Sequence, residues 1–553
     1  MKKNALQKVL AIVLAGAMVM GAAACGDTTT STSTSTKTST ETSTSTSTST
    51  DETSTVAGIE GWVPFEETVT LTIPIYQRAT PNGCANAADN YYTKWVQENF
   101  GDKYNINVVY RALTRGDENT EYALIYADSN EHVSCAFEYD YPDVALYYNE
   151  GYYDAYDPEW FKQIAPTYWQ QMVDNGLDQY TDINGECIFL IGQRPDGNTN
   201  FQFVTFYRLD WVQAAGYDEL PTDPEDLLDC YAKITELGLG GDHILGGTKT
   251  GTSNGVDQNY NYRTYPQDAL TKAQQGDYNL PALTLDAQKK LLQWNNTLYN
   301  LGYIDDEYNL RDSSYASADF INGDTLSYSC YATKTVDVLD QFYAQNPDAK
   351  LAIAYNHGPE TYSDGTCSAF RPNGIFGQYI GFSSQASDDE KTAFAMYLEW
   401  MIQDDVLYTL QNGVEGVDEA EMGHNKNVDM WCLVTATVES ASVEDTIDLY
   451  CPEGYPDSAD FREQMIKNYE GQVACYNAGM VAIDPRYTVT IDSVNEYSDT
   501  LCAKYAELRD KIVMGSTADF EANYAAACEE YLAAGFQKVL DERTQAYNDG
   551  NCQ

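Results

Sequence analysis

Residues 28–55 are serine or threonine except for Lys37, Glu41, Asp51 and Glu52. A run without one apolar side chain has nothing to bury, so it reads as a flexible tether. Some 30 such residues reach on the order of 30 Å on average. The tether divides the 553-residue chain into a short leader and a body that begins near Glu66. That body is long enough for two or three domains at roughly 150 residues each. Hydrophobic residues make up 43% of the chain, which is enough to fill real cores. The 84 acidic against 32 basic side chains give a net charge of -52. Such a surface repels phosphate backbones and anionic lipid, which excludes nucleic acid and bare membrane surface as partners. Histidines are few, and His132, His243, His357 and His424 stand far apart. A histidine base or a zinc site built from histidines therefore has little material.

In the leader, Lys2, Lys3 and Lys8 surround the start of an apolar stretch over residues 9–20. About a dozen residues fall short of the ~20 that a membrane span needs. Ala22, Ala23 and Ala24 then lead to Cys25. This ending resembles the lipobox of bacterial lipoprotein signals; an ordinary secretory signal is the alternative. The resemblance implies a signal peptide over 1–24, a lipidated Cys25 and a tether over 25–57. It implies that the exported chain is held on the outer face of the cell membrane by acyl tails alone. Each buried CH₂ contributes ~0.8 kcal/mol to such an anchor.

In the body, Val69, Leu71, Ile73 and Ile75 alternate with polar residues or proline as in a strand. Residues 91–100 read as a helix closed by Gly101, 106–110 as a second strand and 142–147 as a third. After an apolar run over 203–211, Gly216 closes a short helix. Pro221-Thr222-Asp223-Pro224-Glu225-Asp226 is a helix start, with cap residues, a first-turn proline and early acids. Leu227, Leu228, Tyr231, Ile234 and Leu237 then fall on one face and Gly238 stops the helix. Residues 285–301 predict another helix, with Leu291, Leu298 and Leu301 on one side and Gly302 as its stop. Residues 325–331 return to strand alternation, and 391–410 and 519–547 predict long amphipathic helices. Strands separated by helices give an α/β architecture.

Five segments in this order are similar to the extracellular solute-binding proteins of ABC importers. The subgroup they resemble is the family 1, oligosaccharide-type lipoproteins of Gram-positive bacteria. Cys25 fits the lipoprotein start. Tyr141-Pro142-Asp143-Val144 resembles the family's Pro-Asp-hydrophobic strand. Phe206-Tyr207-Arg208-Leu209-Asp210-Trp211 with the helix start at Pro221 resembles its Tyr-Arg-x-Asp-Trp unit. Asn412-Gly413-Val414-Glu415-Gly416-Val417 resembles a family loop. Lys511-Ile512-Val513-Met514-Gly515 with Asp519-Phe520 resembles the last-helix signature. The resemblance implies a two-lobed, periplasmic-binding-protein-like α/β fold (class II) with a hinge and a central cleft. Lobe one would hold 66–190 plus 357–410, and lobe two 191–356 plus 411–553. It implies a monomer that captures a solute and hands it to permease subunits in the membrane.

Tyrosine accounts for 45 residues. Aromatic faces stack on the C–H faces of sugar rings, and phenols, amides and carboxylates bind their hydroxyls. A tyrosine-rich cleft therefore suits an oligosaccharide, and plain core packing by tyrosine is the alternative. The resemblance assigns ligand contact to Tyr147 and Glu150 after the Pro-Asp segment, to Tyr207, and to Tyr331 at a strand end. Tyr76 and Arg78 fall where the cleft rim belongs, Tyr379 and Trp431 are further candidates, and Trp211 reads as core.

Other motifs point elsewhere. Gly251-Thr252-Ser253-Asn254-Gly255 matches G-x-S-x-G, but it lacks the strand and helix that a nucleophile elbow needs. Gly241 and Gly246 have phosphate-loop spacing, with Gly247 where lysine is required. Asp182-Ile183-Asn184-Gly185-Glu186 is a fragment of a calcium loop, so no cofactor is expected beyond an optional structural calcium. No pair of acids stands out as a glycosidase dyad. The twelve cysteines after Cys25 form no CxxC pair. A large scaffold needs no staples, which favours free thiols. The sequence thus reads as a binding module and not an enzyme. A receptor for a peptide or another small solute on the same scaffold, and a surface glycoside hydrolase or esterase, are the alternatives.

Overall fold

The computed structural model describes residues 59, 61–77, 88–114, 117–193, 203–248, 268–277, 279–331, 335–355, 376–412, 454–456, 458–478 and 484–553. Strands β1 (Val69–Gln77) and β2 (Ile106–Thr114) run parallel in register from Val69 opposite Ile106 to Gln77 opposite Thr114. The helix Tyr91–Val96 lies between them in sequence. It starts at Asn90, whose side chain accepts from the Tyr92 and Thr93 amides at 2.9 and 3.1 Å in a capping box. Gly101 does not stop this helix. The chain widens through Gln97–Gly101, makes one more turn over Asp102–Tyr104 and ends at Asn105 with φ of +58°. Gly101 is small for a packing reason, since a Cβ there would lie 2.6 Å from Ile106 O.

Strand β3 (Cys135–Glu138) abuts β1 without a strand ladder: just before it the Ser134 amide donates to Thr72 O at 2.8 Å, and Ser134 Oγ accepts from the Thr72 amide at 2.9 Å. A short hairpin, β4 (Asp182–Ile183) and β5 (Glu186–Cys187), precedes β6 (Phe189–Gln193). The second sheet is antiparallel, with β7 (Phe203–Arg208) flanked by β8 (Ser327–Tyr331) and β9 (Leu351–Ile353). Strand β10 (Phe376–Phe382) returns to the first sheet and pairs antiparallel with both β3 and β6.

Each sheet supports its own hydrophobic core. The first core draws on residues 69–191 and 379–410, among them Ile73, Phe100, Phe137, Phe189, Ile380 and Trp400. The second sheet feeds two clusters from its two faces, because strand side chains alternate. Val204, Phe206, Leu351 and Ile353 face Phe320, Phe342 and Phe461. Tyr207 and Ala352 face a helical cluster that includes Trp211, Tyr231, Leu298, Leu508, Phe520 and Val539. The architecture is mixed α/β with separate cores on separate sheets.

Several expected elements differ. Residues 142–147 are not a strand but lie in the helix Tyr141–Asn149. Asp140 is extended at the cap and Pro142 sits in the first turn, where its missing N–H costs nothing. The strand of this region is the preceding Cys-Ala-Phe-Glu run. Residues 391–410 are split into Asp388–Met401 and Asp404–Asn412, because Asp404 and Asp405 open a new first turn. The last helical segment is Phe520–Tyr531 and Gln537–Asn548, separated by a wide turn with Gly535 at φ of +133°. A side chain there would also strike the Tyr497 ring. Leu237 and Leu301 are half exposed, since each is the C-terminal cap of its helix and has rotated off the buried face. Among the described residues Cys135, Cys187, Cys230, Cys330, Cys502, Cys528 and Cys552 are free thiols. Among the described residues no helix is long and apolar enough to cross a membrane.

Candidate functional site

In open α/β sheets ligands bind beyond the carboxyl ends of the strands. At those ends of β1 and β3 the chain places Tyr76 and Glu138. Glu138 is 3% exposed, and its carboxylate accepts from the Tyr76 hydroxyl and, at 2.7 Å, from the Tyr139 amide. The Tyr76 ring meets Phe137 edge-on at 5.0 Å and stacks on Tyr139 at 5.8 Å and 16°. Tyr379 is the cross-strand partner of Glu138. Its ring lies 5.5 Å from both Tyr141 and Phe189. Burial pushes the Tyr379 and Tyr147 phenols well above their usual range, and the Glu138 charge adds to the effect at Tyr147. These phenols therefore act as neutral hydrogen-bonding groups at any physiological pH.

The C-terminal segment closes on this cluster. The Tyr141 hydroxyl donates to Tyr487 O. Arg486 is buried beside it, 5.5 Å over the Tyr141 ring and 5.2 Å over Tyr180. Its guanidinium donates to Gln179 O at 2.9 Å and to Asp182 O at 2.6 Å. Backbone hydrogen bonds pair residues 486–488 with 551–553.

The expected contact residues fall into distinct places. Tyr76, expected at the cleft rim, and Tyr379 are both fully buried in the first core, Tyr76 donating to Glu138 and Tyr379 paired with it across the strands. Tyr147 is buried behind them, edge-on to Tyr122 at 5.0 Å, with its hydroxyl lacking a partner among the described residues. Glu150 is exposed at the end of its helix. Tyr207 belongs to the second core, where its hydroxyl accepts from the Leu220 amide at 3.3 Å and burial raises the phenol to about 12. Tyr331 pairs with Phe203 in β8, but only its backbone is described. Arg78, Trp431 and Cys25 lie outside the described residues, as does the G-x-S-x-G segment. Glu138, Tyr139 and Arg486 are not singled out by the sequence. The signal for Glu138 is an acid that ends an apolar run just before Tyr-Asp-Tyr-Pro.

The calcium-like fragment is the β4–β5 hairpin, with Asn184 and Gly185 both at positive φ, 52° and 77°. Asn-Gly with this geometry makes a tight turn whose twist suits a hairpin. The Asn184 amide donates to Thr488 O at 2.9 Å, its Nδ2 donates to Thr490 Oγ1 at 3.0 Å and its Oδ1 accepts from the Thr490 amide at 3.2 Å. Among the described residues no group of three or more His, Cys, Asp or Glu side chains is arranged to hold a metal. The strand ends thus gather a buried carboxylate, phenols and flat rings.

No family model and no curated protein matches the chain. Solved structures do. An extracellular solute-binding protein from Bifidobacterium longum subsp. infantis matches 88% of this chain and 100% of its own length, at 15% identity and a TM-score of 0.56. An HMO-binding, ABC-transporter-associated solute-binding protein from Bifidobacterium longum infantis covers 88% and 99%, at 15% identity and a TM-score of 0.54. The alginate-binding protein AlgQ2, solved without calcium ion, covers 88% and 99%, at 14% identity and a TM-score of 0.58. With separate cores on separate sheets and alignment over nearly the whole of each neighbour, the chain has the two-lobed α/β fold of the extracellular solute-binding proteins.

Proposed function

We propose that this chain is an extracellular solute-binding protein that captures an oligosaccharide between its lobes and delivers it unchanged to an ABC permease. The carrying observation is the full-length match to solute-binding folds, whose named members bind HMO or alginate. The Glu138, Tyr76 and Tyr139 cluster at the strand ends supports a sugar over an apolar ligand. A solute that touches both lobes favours the closed state by its differential affinity. The lobes we propose are 66–190 plus 357–410 and 191–356 plus 411–553, and the body acts as a monomer. The Cys25 ending supports a lipid anchor on the outer face of the membrane. The reading makes no catalytic demand on the site.

Calorimetry of the full chain against neutral oligosaccharides and short peptides is the test. A bound sugar at about 100 times its Kd stabilises the fold by about 2.7 kcal/mol, so the melting temperature rises with it. Heat and stabilisation with peptides alone would transfer the assignment to a peptide receptor. Cleavage products in the calorimeter cell would replace binding by hydrolysis. Cys25→Ala moves the protein from the membrane fraction to the medium if Cys25 carries the anchor.

A further inference from the structure

Gln378 is fully buried, and neither its Oε1 nor its Nε2 has a hydrogen-bond partner among the described residues. A buried donor or acceptor left unmade costs about 1–3 kcal/mol. A leucine or methionine would avoid that cost, so a glutamine here leaves an amide open to a partner beyond the described residues. Its position supplies one. Gln378 lies near the start of β10, opposite Gly192 in β6, and the register shifts between Phe376 and Gln378. Such shifts re-aim side chains near binding sites. Gly192 brings no side chain to the pair, and glycine within a strand marks a place of close approach. The next residue, Tyr379, is paired with Glu138, and beyond Glu138 the Tyr139 ring stacks on Tyr76. The unpartnered amide therefore stands at the same end of the sheet as the carboxylate and the rings.

We propose that Gln378 is a ligand-binding residue that reads two adjacent hydroxyls of a sugar ring. Oε1 accepts from one hydroxyl and Nε2 donates to its neighbour, the two-point match that a single amide makes to a vicinal diol. Glu138 is a positioning residue that holds Tyr76 and the backbone of Tyr139 in place. The assignment rests on the solute-capture reading and goes further, since it names the recognised group.

The test uses the full chain, with maltotriose, xylotriose and lacto-N-tetraose as probes. Gln378→Leu leaves the melting temperature of the sugar-free protein unchanged or raised. The same change weakens binding of the preferred sugar by at least about tenfold, because the apolar side chain removes the hydroxyl reader. Gln378→Met, closer in shape, gives the same pair of results and serves if the leucine variant does not fold. In the unsubstituted protein, the side-chain amide resonances of Gln378 shift when the sugar saturates. If the sugar still binds both variants within about twofold and that resonance stays put, the assignment is wrong while solute capture stands. If no sugar binds the unsubstituted protein, both fall together.

Discussion

In the C-terminal helical layer, Arg543 is 2% exposed, and its guanidinium donates to the Asp277 carboxylate and, at 3.0 Å, to Gln274 O. At the strand ends of the first sheet, Glu138 is buried as deeply and accepts from the Tyr76 phenol and the Tyr139 amide. Nearby, the Gln378 amide and the Tyr147 and Tyr153 hydroxyls lack partners among the described residues. A buried cation paired with a buried anion is committed to the framework. A buried amide and two buried phenols without partners among the described residues keep hydrogen-bonding capacity for something that comes and goes.

The sharpest way to break this contrast is to remove Arg543. Arg543→Leu leaves Asp277 buried without its cation and costs about 3–5 kcal/mol of unfolding free energy, measured by urea denaturation. Adding Asp277→Leu recovers most of the loss, because the penalty comes from the orphaned charge and not from missing attraction. A double variant as unstable as the single one would show that the pair does not hold the layer. Tyr76→Phe is the matching test at the strand ends. It removes one donor from a buried carboxylate, costs about 1–3 kcal/mol of stability and weakens sugar binding as well. An unchanged affinity would make Glu138 and Tyr76 framework too.

Two glutamates on the helix Asp388–Met401 sharpen the comparison through pH. Burial raises the pKa of Glu390, but hydrogen bonds from the Ser387 amide, His132, the Ser387 hydroxyl and Ser134 outweigh it, and the net shift is downward. Burial raises that of Glu399 and prevails over the Thr167 and Tyr168 amides that donate to it at 3.2 and 2.9 Å. The signs are opposite. The depressed carboxylate of Glu390 contributes stability that is full above its unfolded pKa and is lost as pH falls through its folded value. The raised carboxyl of Glu399 contributes stability that is full below its unfolded pKa and is lost as pH rises through its folded value. Unfolding from about pH 3 to about pH 6 should thus lose part of its acid-side slope in Glu390→Gln. Glu399→Gln should be less sensitive to the rise above about pH 5. Parallel curves for the two variants would refute both assignments.

Elements with strong end signals were legible from sequence. The helix after Asp223 starts where the cap and proline place it, with the Asp223 carboxylate accepting from the Glu225 amide at 3.0 Å, and Gly238 ends it at positive φ. Strand β1 was legible because its apolar residues alternate, and β2 because it is a short run rich in β-branched and aromatic residues. The helix at 141–149 was misread because apolar residues around Pro142 also suit a strand, and the deciding fact is the extended Asp140 before it. The site was legible only in outline. Tyr76 and Tyr379 meet at Glu138 through pairing of strands more than 200 residues apart along the chain, which no local pattern encodes. Arg486 reads as an ordinary surface cation until residues 551–553 pair with its segment.

The smallest expected effect is at Tyr207, and it tests which core carries the ligand. Its hydroxyl already accepts from the Leu220 amide, and at 3.3 Å that bond is long. Tyr207→Phe should therefore cost less than about 1 kcal/mol of stability. It should change sugar affinity by less than about twofold, against the larger loss expected for Tyr76→Phe. Affinity by calorimetry and stability by urea denaturation, measured on both variants under one condition, decide the order. If Tyr207→Phe abolishes binding while Tyr76→Phe does not, the phenol that meets the solute belongs to the second core. The buried carboxylate of the first sheet would then be scaffold of the same kind as the Arg543 pair.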